Sequence, residues 1–136
     1  MYTNILVGID PSADEKALEA LQIATHLAED VTATITAIMV LEDFPSYLAN
    51  ELATEANSQA AAFAMARLRE LTGPNSVVRT EIRHGKPAEE ILNYAKSNKI
   101  DCIVIASHKP GLSDYFLGST AARVVRHALC TVHVMR

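Results

Sequence analysis

Short apolar runs alternate along this chain with longer segments in which apolar residues recur every three or four positions. Residues 4–10, "NILVGID", and 101–107, "DCIVIAS", are almost continuously apolar, which is typical of strands covered on both faces. Residues 32–41 are rich in β-branched residues and predict another such strand. Residues 76–85 alternate apolar and polar positions, which predicts a strand with one wetter face, as at a sheet edge. Residues 131–136, "TVHVMR", predict a last strand.

The segments between these strands have the spacing of amphipathic helices. In the first two, the apolar positions are Ala17, Leu18, Leu21, Ala24, Leu27 and Ala28, then Leu48, Leu52, Ala56, Ala60, Phe63, Ala64, Leu68 and Leu71. Two more helices are predicted, one after Pro87 and one over residues 119–129. Strands that alternate with helices indicate a parallel sheet with right-handed crossovers. The predicted fold class is therefore α/β, a single domain over residues 1–136 with an open five-stranded parallel sheet and helices on both faces.

The composition excludes several classes of partner. Hydrophobic residues make up 49% of the chain and charged residues 21%, as in ordinary globular domains, and the formal net charge is −4. That acidity argues against nucleic acid, and aromatic residues, at 5% with no Trp, supply little for stacking on bases. No apolar stretch approaches the roughly 18 residues of a membrane span, and no secretory signal is evident. We expect a cytoplasmic protein that binds neither nucleic acid nor membrane.

Polar residues collect where the predicted strands end. In open α/β sheets, ligands bind outside the carboxyl ends of the strands, so residues 8–10, 40–41, 84–85 and 106–109 are the candidates. Asp10 has two interpretations of equal weight. It binds a ribose hydroxyl, a base amine or a metal ion, or it is a turn residue bonded to its own backbone.

Gly118, Ser119 and Thr120 open the last predicted helix, where free amides and hydroxyls favour an anion. The alternative is an ordinary helix cap. The G-x-G-x-x-G and G-x-x-x-x-G-K-[ST] fingerprints are absent, as is the G-x-S-x-G elbow of many hydrolases. His84 and His108 also follow strands, but no cluster with ligand spacing accompanies them, so no metal site is predicted.

Three segments together resemble the universal stress protein family across nearly the whole chain. They are "ILVGID" followed by Ser12, "HGKPAEEIL", and "DCIVIASHK" with "LGSTAARVVRHALCTVHVMR". The resemblance implies a Rossmann-like sheet of the adenine nucleotide alpha hydrolase type with strand order 3-2-1-4-5. In that order the ends of the first and fourth strands lie side by side.

The resemblance also implies a ligand, because members with the motif G-x2-G-x9-G-[ST] bind ATP. Asp10 and the backbone of Val40 would meet ribose and adenine, and the segment that begins at Gly118 would hold the phosphates. Whether Mg²⁺ accompanies the ATP stays open. The implied nucleotide-binding residues are Gly8, Ile9, Asp10, Val40, Ile105, Ala106, Ser107, His108, Lys109, Gly118, Ser119 and Thr120.

The chain departs from that motif at its glycines. Ala106 and Lys109 stand at the first two glycine positions, and eight residues, Pro110 to Leu117, replace the usual nine before Gly118. A lysine at a left-handed position costs about 1–2 kcal/mol, which indicates a rebuilt loop in which the Lys109 ammonium substitutes for glycine amides. The string A-S-H-K-P with L-G-S resembles the F/G-type branch, in which nucleotide binding is retained. We therefore expect ATP binding.

Three functions are compatible with the sequence. The first is a nucleotide-binding regulator of stress or energy state, and the second is a nucleotide-free protein that acts by protein contact. The third is a weak ATPase or self-phosphorylating protein with Ser119 or Thr120 as acceptor, ranked last because no paired general base or carboxylate pair for two metals is evident. The family resemblance further implies a homodimer through the last strand, Thr131 to Met135.

Overall fold

The computed structural model describes residues 1–12, 14–42, 50–73, 76–107 and 117–136. Strands and helices alternate along this part of the chain. They are β1 (Asn4–Ile9), α1 (Asp14–Leu27), β2 (Thr34–Leu41), α2 (Asn50–Thr72), β3 (Arg79–His84), α3 (Pro87–Ser97), β4 (Cys102–Ala106), α4 (Ser119–His127) and β5 (Thr131–Met135). The strands form one sheet in the order β3-β2-β1-β4-β5, so the predicted fold class and strand order are confirmed.

The sheet is parallel throughout, with β1 at its centre. β1 pairs with β2 from Asn4↔Thr34 onward and with β4 from Ile5↔Cys102 onward. β3 and β5 are the edge strands. No residue of β3 is buried, which agrees with the alternating pattern that predicted an edge at residues 76–85. The carboxyl ends of β1 and β4 therefore lie next to each other.

Helices cover both faces of the sheet and enclose two apolar cores. Alternate residues of β1 point to opposite faces, as the pleat requires. One core joins Ile5, Val7, Ile9, Ile35, Ala37 and Met39 to Ala17, Ala20 and Ala24 of α1 and Ala64 and Leu68 of α2. The other joins Leu6, Ile38, Val40, Ile103 and Ile105 to Ala88, Ile91 and Ala95 of α3 and Ala121 and Val124 of α4.

Two residues predicted to lie on buried helical faces are exposed instead. Leu18 of α1 keeps 48% of its surface and Phe63 of α2 keeps 76%. Leu18 directly follows the buried Ala17, and Phe63 directly precedes the buried Ala64. Neighbouring residues of a helix point about 100° apart around its axis. The alanines form the buried stripe of each helix, and the neighbouring large side chain lies beyond the edge of that stripe and faces solvent. Leu48 lies outside the described residues, as does the side chain of Leu52.

The amino ends of β1 and β4 are tied together by Asp101. Its carboxylate accepts hydrogen bonds from the Thr3 amide at 2.8 Å, the Thr3 hydroxyl at 3.0 Å and the Asn4 amide at 3.1 Å. Its own amide donates to the Asn4 carbonyl at 2.9 Å. Burial acts to raise the pKa of Asp101, but the hydrogen bonds from Thr3 and Asn4 outweigh it and hold that pKa below 3.8.

We expect Asp101→Ala to lower the free energy of unfolding by about 1 kcal/mol at pH 7, a figure reduced for the partial exposure of the carboxylate. The folded-state pKa lies below the unfolded one, so this stabilisation is complete above the unfolded pKa. The stabilisation is lost as the pH falls through the folded-state pKa of Asp101. Urea unfolding of both proteins at a series of pH values should show the difference shrinking in acid. The control is Glu89→Ala on the exposed side of α3, and a difference independent of pH would contradict the assignment.

Candidate functional site

A cavity of about 500 Å³ opens at the carboxyl edge of the sheet. The ends of β1, β2 and β4 and the first turns of α1, α3 and α4 contribute to its wall. Its volume lies within the ~300–1,000 Å³ typical of small-molecule sites. The cavity lies where strand order reverses, which is where the sequence analysis expected a ligand.

The structure brings together all the sequence-predicted site residues that it describes. Those lining the cavity are Gly8, Ile9, Asp10, Val40, Ile105, Ala106, Ser107, Gly118, Ser119 and Thr120. His108 and Lys109 lie outside the described residues. Sequence reasoning missed several further lining residues, namely Ser12, Lys16, Ala17, Ala20, Ile38, Glu42, Ala60, Pro87 and Ile91. Most of these sit in a helix or β2, where apolar spacing assigns them to packing, and no pattern marks them for a ligand.

Apolar side chains form much of the cavity wall. Ile38, Val40, Ile91 and Ile105 are buried in the core between the sheet and the helices α3 and α4, and each also lines the cavity. Gly8 adds no side chain, and a Cβ built there would lie 3.4 Å from Cδ1 of Ile91. Such a wall suits a flat, weakly polar group that is removed from water.

Asp10 is fixed by the turn that follows β1. Its Oδ1 accepts hydrogen bonds from the Ser12 amide at 2.8 Å and the Ser12 hydroxyl at 2.6 Å. Oδ1 of Asp10 is therefore a turn acceptor, as the local-turn interpretation of this residue predicted. The other, Oδ2, has no hydrogen-bond partner within the described ranges and belongs to a residue that lines the cavity. The turn therefore holds the carboxylate in place and leaves an acceptor for a ligand.

The first turn of α4 presents backbone amides at the cavity. Gly118 is the N-cap of α4, with φ −60° and ψ 158°, and it supplies no side-chain oxygen to the amides that follow. Ser119 is therefore the first helical residue and does not cap the helix as an ordinary cap residue would. Amides of a first turn have no partner within the helix, so they are available to an anion.

Backbone hydrogen bonds connect this turn to the last strand. The Gly118 amide donates to the Ser107 carbonyl at 2.6 Å, and the Ser107 amide donates to the Met135 carbonyl at 2.7 Å. Ser107 is buried directly after β4. The position of the α4 first turn is thus set through the end of β4 and the end of β5.

The charged side chains of the cavity wall, within the described part of the chain, are Asp10, Glu42 and Lys16. Lys16 is the single cation among them. Its Nζ donates to Oε2 of Glu19 at 3.1 Å and to the backbone oxygen of Arg136 at 3.1 Å. Lys16 lies in the first turn of the helix after β1, where a lysine is ordinarily a solvated surface residue, so the sequence does not mark it for a ligand.

The described residues contain neither a metal-binding cluster nor a helix suited to a membrane. No group of three or more His, Cys, Asp or Glu side chains there is arranged to hold a metal ion. The hypothesis that Asp10 binds a metal therefore has no accompanying ligands in this part of the structure. Separately, none of the described helices is both long enough and apolar enough to cross a membrane.

The sheet order, with β1 at the centre of five parallel strands, defines a Rossmann-like α/β domain. The family model named "Universal stress protein family" matches residues 1–136. The chain belongs to the universal stress protein family.

Individual relatives agree with this assignment. Universal stress protein MJ0531 of Methanocaldococcus jannaschii is 31% identical, with the match covering 100% of this chain and 83% of that protein. Universal stress protein G of Escherichia coli O157:H7 is 27% identical over the full length of both chains, which suits the resemblance to the F/G-type branch. The solved structure of the universal stress protein UspA from Lactobacillus plantarum superposes with a TM-score of 0.82 at 32% identity, covering 99% of this chain and 98% of that one.

Two glycines near the carboxyl edge should respond in opposite ways to an added methyl group. Gly8 has no positive φ and its built Cβ makes ordinary contacts, so Gly8→Ala should raise the free energy of unfolding by about 0.5 kcal/mol through a less flexible unfolded chain. Gly85 has φ +135° and its built Cβ lies 3.1 Å from Oε1 of Glu90. Gly85→Ala should therefore lower stability by about 1 kcal/mol or more.

Urea unfolding of the two variants and the parent protein measures both effects. Equal destabilisation by the two substitutions would show that the end of β1 has no room for a Cβ beside Ile91.

Proposed function

We propose that this protein binds an adenine nucleotide, with ATP as the first candidate, in the cavity at the carboxyl edge. We further propose that it acts in the cytoplasm as a regulator of stress or energy state, through a conformation or protein contacts that depend on the bound nucleotide. One observation carries the proposal. A single cavity combines an apolar wall, a fixed carboxylate with an open oxygen and an uncapped helix N-terminus.

The three features correspond to the three parts of a nucleotide. The wall formed by Ile38, Val40 and Ile91 suits a base, and Oδ2 of Asp10 is an acceptor for ribose hydroxyls. The amides and hydroxyls of Ser119 and Thr120 suit phosphate oxygens. We place His108 and Lys109 with this group on the strength of the sequence alone. Any Mg²⁺ would arrive with the phosphates that coordinate it, and the proposal assigns it no protein ligands.

Two solved structures with the same fold lend support. A universal stress protein solved in complex with cAMP superposes with a TM-score of 0.63 at 22% identity. The universal stress protein from Archaeoglobus fulgidus solved in complex with dAMP superposes with a TM-score of 0.64 at 19% identity. Both ligands are adenine nucleotides, which favours that class for the present cavity.

Ala106, which stands at the first glycine position of the ATP-binding motif, is compatible with nucleotide binding. Ala106 is the last residue of β4, pairs with Met135, and has no positive φ. A glycine is therefore not required at this position for backbone conformation. The remaining departures, Lys109 and the shortened loop, lie outside the described residues.

Regulation is favoured over catalysis by the surroundings of the candidate acceptors. The hydroxyls of Ser119 and Thr120 have no hydrogen-bonded base in the described part of the chain, and the carboxylate of Asp10 is committed to Ser12 through one oxygen. An efficient phosphoryl transfer needs a residue that orients or deprotonates the nucleophile. We therefore propose binding as the activity of the site.

Asp10→Asn tests the ligand and the role of Asp10 together. The amide oxygen of Asn can still accept from Ser12, so the turn is kept, while the acceptor at Oδ2 is replaced by a donor. We expect the parent protein to bind ATP and adenosine in calorimetry, and the variant to bind both about tenfold more weakly, which corresponds to about 1.4 kcal/mol. Affinity for inorganic triphosphate should be unchanged.

The matched control is Glu29→Gln, an exposed carboxylate after α1 that lies outside the cavity and near the opposite edge of the sheet, and it should leave adenosine affinity unaltered. An equal loss of ATP and triphosphate affinity in Asp10→Asn would mean that Asp10 acts on phosphates or on folding. No ATP binding by the parent protein would contradict the proposed function itself.

We also propose that two copies of the chain pair through β5. The Met135 carbonyl accepts from Ser107, so Met135 and the alternate residues His133 and Thr131 direct their backbone groups to β4. The backbone groups of Val132 and Val134 then point to the open edge, where another strand could pair with them. Leu129, two residues before β5, is 91% exposed and adds an apolar side chain to the surface near the start of that strand.

Val134→Pro should convert a dimer to a monomer, because it removes an amide that faces the open edge and leaves the pairing with β4 intact. Light scattering at micromolar concentration measures the mass of each form. His133→Pro is the control and should unfold the protein, since it removes an amide directed at β4. A monomeric parent protein would contradict the dimer and leave the nucleotide proposal standing.

A further inference from the structure

The ammonium of Lys16 lies on the same side of the cavity as the first turn of α4. The Gly118 amide donates a hydrogen bond to the Ser107 carbonyl, and the Ser107 amide donates one to the Met135 carbonyl. Lys16 Nζ donates a hydrogen bond to the backbone oxygen of the next residue, Arg136. These three hydrogen bonds, of 2.6, 2.7 and 3.1 Å, connect the α4 N-terminus to Lys16 by way of the chain after β5. Because α1 packs over β1 and β4, the lysine side chain must extend towards the β5 side of the sheet to reach Arg136.

Charge is distributed unevenly along the cavity. Glu42 follows β2, on the far side of β1 from β4 and β5. Lys16 is the cation of the described wall, is paired with Glu19 and reaches towards β5 through Arg136, and the uncapped start of α4 lines the same cavity. An anionic group is therefore favoured at the β5 side and disfavoured at the β2 side. A nucleotide with its base near β2 and its phosphates near α4 matches this polarity.

Lys16 can bind a ligand without losing its present contacts. An ammonium has three N–H donors, and the described residues take two of them, Glu19 through a carboxylate oxygen and Arg136 through its backbone oxygen. These two contacts place Nζ next to Glu19 and Arg136, on a side chain that keeps 42% of its surface exposed. A third donor remains for a phosphate oxygen, with which it would form a charge-assisted hydrogen bond.

We propose that Lys16 binds the phosphate group of the nucleotide and, through Arg136, couples occupation of the cavity to the end of β5. This inference rests on the proposed nucleotide binding and assigns to Lys16 both phosphate recognition and a regulatory contact. A phosphate that fixes Nζ also fixes its partner, the backbone oxygen of Arg136. By linkage, whatever orders the end of β5 strengthens nucleotide binding in return.

Calorimetry with ATP, AMP and adenosine tests the recognition step. Lys16→Met keeps the length of the side chain but removes its charge and its hydrogen-bond donors. The affinity for ATP should fall about tenfold, while the affinity for adenosine stays unchanged. Lys16→Arg keeps the charge and should restore most of the ATP affinity. Lys96→Met, on the exposed last turn of α3, is the control for loss of one positive charge and should behave as the parent protein.

Hydrogen exchange of the segment 130–136 tests the coupling step. ATP should slow exchange there in the parent protein and in Lys96→Met, but much less in Lys16→Met at equal saturation. Adenosine should have little effect on any of these proteins.

The outcomes separate this inference from the function on which it rests. ATP binding that is unaffected by Lys16→Met, or a loss shared equally by adenosine, overturns the role of Lys16 alone. Slowed exchange that persists in saturated Lys16→Met overturns the coupling. If the parent protein binds neither ATP nor adenosine, the proposed function and this inference fail together.

Discussion

The central position of β1 determines where a ligand can bind in this protein. β1 is hydrogen-bonded on both edges, to β2 on one side and β4 on the other, and is covered on both faces. Right-handed crossovers run from β1 through β2 to β3 in one direction, so α1 and α2 share a face. The chain then crosses to β4 and continues to β5 in the other direction, so α3 and α4 share the opposite face. The helices diverge between β1 and β4, and the cavity occupies that gap.

The groups around the cavity are held by side-chain hydrogen bonds at Asp10 and by backbone hydrogen bonds at the start of α4. Asp10 is held by Ser12, and the start of α4 is held by Ser107, which is itself bonded to Met135. Short connections of this kind set the geometry before any ligand arrives, so binding would require little ordering of the wall. They also bring the end of β5, an open sheet edge, into direct contact with the wall of the cavity. A single region thus joins the cavity to the sheet edge that we propose as the pairing surface.

Much of the fold could be predicted from the sequence, because buried parallel strands leave a strong signal. The apolar runs that end at Asp10 and Ser107 mark β1 and β4 unambiguously, and Pro87 marks the start of α3. Helical faces were harder to predict, as Leu18 and Phe63 show. A stripe of alanines packs as well as larger residues do when the helix lies close to the sheet, and apolar spacing alone does not reveal that distance.

The site was predicted in outline and incompletely in detail. Residues at strand ends, such as Asp10 and Gly118, could be proposed because sheet topology brings them to one edge. Lys16 could not, because its relevance depends on a bond to Arg136, and only the folded chain brings the two together. The two interpretations of Asp10 also needed the structure, which assigns one carboxylate oxygen to the turn and leaves the other open.

A nuclear magnetic resonance titration of ¹⁵N-labelled protein with ATP tests the central claim most directly, because it reports both binding and its place. We predict saturable shifts in the amides of Gly8, Asp10, Ser107 and residues 118–120, with those of Asn4 at the opposite edge of the sheet unmoved. An absence of shifts at millimolar ATP, or shifts confined to another surface, would contradict the account.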